Sequence, residues 1–228
     1  RLGLREKTLV VFTSDNGSRA RDEGGSNAPL RGVKAQTWEG GQRVPCLMRW
    51  PGVIASGTTC SGIASAIDLF ATLGDFSGAP QPPDAKRDSL SLAETLRNGK
   101  PSPRDRFAFY RGSNLEALRL EDWKLHFFKA EWKPASGDSP VPEALFNLRD
   151  DPGETTNLLA AHPRQAAAIR EAADLFRHTL GDARLGYAGT EIRAAGVCPN
   201  PKTLTQYNPT HPYFIASYDL ADMPTLCG

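Results

Sequence analysis

The sequence predicts an α/β fold in two parts, with buried strands and helices up to about residue 105 and a small antiparallel sheet with a long helix after it. Three observations carry this reading. Thr8–Thr13 and Val44–Trp50 are continuous apolar runs closed by turn residues, the pattern of strands buried in a parallel sheet. Phe107–Tyr110, Glu116–Leu120 and Trp123–Phe128 are short strand-like runs separated by turn signals, which suggests an antiparallel sheet. Pro163–Leu180 places Ile169, Ala173, Phe176 and Leu180 on one helical face.

Taken in order, Arg1–Lys7 reads as a helix end feeding the first strand, which stops at Ser14-Asp15-Asn16-Gly17. Residues 17–43 are glycine-rich without sustained periodicity and read as a long ordered loop, a length usually tied to function. After the second strand, closed by Pro51-Gly52, Ala64–Leu73 has apolar residues at helical spacing. Residues 77–89 are rich in Pro, Gly and Asp and form a connection. A short helix over Leu92–Asn98 stops at Gly99-Lys100-Pro101. Beyond Gly181 the chain reads as irregular, with tyrosines and Phe214 that would pack on the small sheet or cover a pocket.

Composition excludes more than it selects. The 228 residues carry a net charge of +1, so neither nucleic acid nor an anionic membrane is indicated as the main partner. No apolar run approaches a membrane span. Cys46, Cys60, Cys198 and Cys227 contain no Cys-x-x-Cys pair, which argues against a zinc site and leaves disulfides and free thiols both open.

Asp15 and Asn16 stand at the carboxyl end of the first strand, where ligand sites gather in open α/β sheets. A carboxylate beside an amide oxygen offers hard ligands suited to calcium or magnesium, although the same residues also describe a plain turn. Lys34, in a glycine-rich loop, can present a compact charge to an oxyanion, or simply be solvated. Trp38 would flank a substrate or plug a packing gap. His126, His162, His178 and His211 lie in no catalytic motif and read as structural or solvated. Asp68 fits a helix terminus.

The ordered set LVVFTSDNG, LRGVKAQTWEGGQRVPCLMRWPG, IDLFATL, EDWKLHFF and LFNLRDDPGETTNL resembles the sulfatase family of the alkaline-phosphatase superfamily, in its arylsulfatase form, over roughly residues 1–180. The resemblance implies the C-terminal part of an alkaline-phosphatase-like mixed sheet with flanking helices (residues 1–105), then a small antiparallel sheet packed by a helix, with an irregular tail (residues 106–228). It also implies metal ligation by Asp15 and Asn16, usually to calcium with magnesium as the alternative. Lys34 would contact the sulfate group of a sulfate ester, while Gly40, Gly41 and Pro45 shape the backbone.

Such enzymes use a formylglycine nucleophile made from a Cys/Ser-x-Pro-x-Arg motif, which is absent here. Cys198-Pro-Asn-Pro has its prolines at the wrong offsets. The nucleophile is therefore expected in an N-terminal half, and this chain alone is expected to be inactive and to bind calcium weakly. The first strand's apolar edge and face would be exposed, so self-association or pairing with that half is expected. A phosphodiester or phosphonate monoester hydrolase of the same superfamily is the second enzymatic reading, and a non-catalytic fragment the third. A periplasmic, extracellular or lysosome-like compartment follows from the resemblance only.

Overall fold

The computed structural model describes residues 2–19, 24–79, 88–128 and 143–197. The chain divides into a unit of Arg1–Ile192 and a unit of Arg193–Gly228, and every element below belongs to the first. After a single 3-10 turn at Arg5–Lys7, β1 (Val10–Thr13) runs to the Asp15-Asn16 pair. The loop that follows contains one helical turn, α1 (Glu39–Gln42), and leads into β2 (Cys46–Arg49).

β1 and β2 pair antiparallel, Val10 opposite Arg49 and Thr13 opposite Cys46, which corrects the expectation of parallel, buried strands. Their faces are open: Phe12 is 66% and Leu47 60% exposed. Continuous apolar character reports that both faces suit burial, but among the described residues no other strand pairs with this ribbon.

α2 (Asp68–Ser77) starts later than the periodicity suggested, because Asp68 itself organises the entry. Its carboxylate accepts the amides of Ser65 and Leu90, both at 2.9 Å, and pairs with the Arg104 guanidinium. Asp68 is thus a structural anchor at a helix start, as expected. α3 (Ala93–Asn98) ends at Gly99, whose φ of 66° is the left-handed conformation that closes helices.

β3 (Arg106–Arg111), β4 (Asn114–Leu120), β5 (Trp123–His126) and β6 (Ala144–Asn147) form an antiparallel meander in that order. β6 is an addition to the strands read from the sequence, since four residues are too few to show a period. α4 (Pro163–Leu180) covers one face. Leu115, Leu118, Leu125, Leu145, Ala166, Ile169 and Ala173 form a core there, each no more than 1% exposed. Burying each leucine or isoleucine contributes roughly 1.5–3 kcal/mol, so this cluster is the main apolar anchor of the sheet. The Tyr110 hydroxyl donates to Gly181 O at 2.9 Å and ties the helix end to β3, and burial helps push its pKa up to about 12. No helix among the described residues is long and apolar enough to cross a membrane.

Candidate active-site loop

β1 delivers Asp15 and Asn16 into a tightly folded backbone. The Gly17 amide donates to Gly41 O at 3.1 Å, and a Cβ on Gly17 would stand 1.8 Å from Gly40 O. Gly40 and Gly41 are equally constrained, since a Cβ would meet Arg31 O at 2.5 Å and Gln36 O at 2.2 Å respectively. Only glycine permits such approach, so these residues shape the backbone as expected. Asn27 ties the strands of the loop together, accepting from the Ser18 amide and donating to Ser18 O and Gly32 O.

Lys34 is held in the same fold, its amide donating to Ser18 O at 3.2 Å while its side chain stays exposed. The Asp15 carboxyl lies below its ordinary pKa chiefly through a hydrogen bond with the Asn16 side chain, and the Lys34 charge adds to the effect. Asp15 and Lys34 therefore feel one another electrostatically. Asn16 Oδ1 is buried and has no hydrogen-bond partner, which is costly for an amide oxygen unless a further group binds there. An ionised carboxylate beside an orphaned amide oxygen suits a hard divalent cation. Among the described residues no cluster of three or more His, Cys, Asp or Glu could hold a metal.

The sequence reading missed a buried ionic cluster directly beneath the loop. β-Pairing sets Ala117 opposite His126 and Arg119 opposite Lys124, so all four share the sheet face away from α4. Lys124 is wholly buried, and its Nζ donates to Thr37 O at 2.7 Å and Glu39 Oε1 at 2.9 Å and lies 3.2 Å from Glu154 Oε1. Glu154 Oε2 accepts the Glu39 amide at 2.7 Å, and His126 Nε2 donates to Glu154 Oε1 at 2.7 Å. Burial pushes the Glu154 carboxyl up, but His126, Lys124 and the Glu39 amide outweigh it and hold the pKa below the usual range. Glu116 occupies a bulge between the Tyr110–Leu115 and Phe109–Ala117 pairs, and its carboxylate accepts the Thr37 hydroxyl at 2.6 Å. Burial pushes that carboxyl up, with the Thr37 hydrogen bond opposing.

Trp38 is a packing plug, its ring 4.4 Å from His126 and 5.9 Å from Phe146, with the Arg31 guanidinium stacked over it. His162 packs on Trp123, and His178 meets Tyr187 edge-on and donates from Nδ1 to Asp174 O at 2.7 Å. Cys46 and Cys60 are free and exposed. Cys198, Cys227, His211, Tyr207, Tyr213, Phe214 and Tyr218 lie outside the described residues.

Comparison with known proteins places this arrangement. Residues 1–79 match the family described as Sulfatase, and residues 102–203 match the C-terminal region of aryl-sulfatase. The chain is 36% identical to steryl-sulfatase of Mus musculus over 198 residues, covering 74% of this chain and 32% of that protein. It is 38% identical to arylsulfatase A of Homo sapiens over 193 residues, covering 75% and 38%. Among solved structures, the PsFucS1 sulfatase from Pseudoalteromonas sp. superposes with a TM-score of 0.65 at 27% identity, covering 84% of this chain and 40% of that one. The chain thus spans about a third of the length of these curated relatives. With two matched segments in order and the same fold beneath them, this chain belongs to the sulfatase family and corresponds to its C-terminal portion.

Proposed function

We propose that the complete protein hydrolyses a sulfate ester and that this chain supplies part of the site. The observation that supports this best is the convergence of Asp15, Lys34 and the buried, unpartnered Asn16 Oδ1 on one glycine-shaped loop. Asp15 and Asn16 would hold a divalent cation, calcium in this reading. That cation would supply Lewis-acid stabilisation of negative charge when bound. Lys34 would donate to the non-bridging oxygens of the sulfate group, matching a compact cation to a tetrahedral oxyanion.

The Lys34 side chain is exposed, and the hydrogen bond from its amide to Ser18 O anchors the turn that carries it. The nucleophile in this reading is a formylglycine carried outside this chain, so the isolated chain should neither turn over substrate nor bind calcium tightly.

The test compares the complete protein on p-nitrophenyl sulfate and on bis-p-nitrophenyl phosphate, with calcium titrated by calorimetry. Preference for the sulfate ester, lost in Lys34→Ala, supports the reading. Preference for the phosphodiester, or a Lys34→Ala enzyme of unchanged kcat/KM, sinks it. Calcium affinity unaffected by Asn16→Ala would remove the metal assignment separately.

A further inference from the structure

The buried cluster has no part in the roles above, yet its contacts fall on the segment that carries Lys34. Lys124 Nζ donates to Thr37 O at 2.7 Å, Glu154 Oε2 accepts the Glu39 amide at 2.7 Å, and Glu154 O accepts Arg31 Nη1 at 3.1 Å. Arg31 precedes Lys34 and the other two follow it, so the anchors bracket the lysine. The bracketed turn is in an uncommon conformation, with Ala35 at a φ of 69°, and Glu154 itself sits at 52° while wholly buried. Non-glycine residues persist there where their surroundings over-determine them. Directional hydrogen bonds from two buried charged side chains provide such determination, and apolar packing by itself would not set the register of this turn.

We propose that Lys124 and Glu154 are positioning residues: their buried cluster clamps the Arg31–Glu39 turn onto β5 and the Asp151–Glu154 turn, and so fixes where Lys34 presents its ammonium. The catalytic consequence rests on the sulfate-binding reading of Lys34, but the clamp itself does not.

Lys124→Met alone would take from the buried Glu39 and Glu154 carboxylates the ammonium they share and risks unfolding. The working variant is therefore K124M/E39Q, which removes one charge of each sign, and Glu154→Gln is the conservative control that keeps an acceptor for the Glu39 amide. In the complete protein, amide hydrogen exchange is read at Lys34, Gly40 and Gly41, which donate to Ser18 O, Arg31 O and Trp38 O. Exchange at these amides should rise by about tenfold or more in K124M/E39Q, with α4 amides unchanged and E154Q close to wild type. Unchanged loop amides, or equal acceleration throughout α4, would overturn the clamp.

The kinetic arm is a double-mutant cycle with Lys34→Ala on p-nitrophenyl sulfate. K124M/E39Q should lower kcat/KM by about 10–100-fold, the scale of a misplaced binding group, but by less than about threefold once Lys34 is gone. Equal losses in both backgrounds would show general support of the fold and refute positioning. A wild-type protein inactive on every sulfate ester would remove the sulfatase reading, and the exchange result would still decide the clamp.

Discussion

Replacing Asp68 by asparagine should destabilise this unit by about 3 kcal/mol without touching the loop that bears Lys34. The Asp68 side chain is wholly buried and accepts four hydrogen bonds, from the amides of Ser65 and Leu90 and from Arg104 Nε and Nη2. Asparagine is nearly isosteric, but its amide nitrogen would turn N–H groups toward donors. A buried donor left unsatisfied costs roughly 1–3 kcal/mol, and stripping a buried ion pair of one partner roughly 3–5 kcal/mol. These overlap, because the same oxygens serve both, and Arg104 keeps some solvent contact at 12% exposure and a bond to Asp88 O.

Urea unfolding followed by circular dichroism measures the difference. Burial alone would raise the Asp68 pKa, but the Arg104 hydrogen bonds and the two amides lower it overall. A depressed folded pKa stabilises above the unfolded value of about 3.9, and the contribution is lost as pH falls through the folded value. The gap between wild type and Asp68→Asn should therefore be constant from pH 7 to 5 and narrow only below about 4. A difference under about 1 kcal/mol at pH 7, or one that widens in acid, would refute the account.

Three further outcomes follow from the packing of this unit. Ile169→Ala, at a core position 1% exposed between α4 and the sheet, should cost about 3 kcal/mol in urea unfolding, within the range for buried Ile truncations. Gly40→Ala would drive a methyl into Arg31 O at 2.5 Å, so thermal unfolding should shift downward and the amides of Gly40 and Lys34 should lose exchange protection. The exposed Phe12 and Leu47 side chains on the β1–β2 ribbon should promote self-association of the isolated chain; Phe12→Lys with Leu47→Glu should reduce the mass seen in light scattering.

How much of this was legible in the sequence varies with how local the physics is. α3 and α4 were readable because Gly99 and Gly181 follow them and because a long helix repeats its apolar face several times. The placement of Asp15, Asn16 and Lys34 in one loop was legible as ordered motifs, and the glycines as backbone formers. The start of α2 was misplaced because Asp68 takes its partners from Leu90 and Arg104, remote in sequence.

Sequence by itself determined the family, the antiparallel character of the later sheet, and that Asp15, Asn16 and Lys34 are the residues on which the proposed function rests. Only the tertiary structure decided that Lys124 and His126 are buried. In the strand Trp123-Lys124-Leu125-His126 the alternation reads as one apolar and one solvated face, which local pattern cannot distinguish from a polar face covered by something else. The cover is the Thr37–Gly41 segment, and the compensating charges are Glu39 and Glu154, far away along the chain. A buried charge is tolerable only with its partner in place, and partners brought together by folding leave no periodic signal in the chain that encodes them.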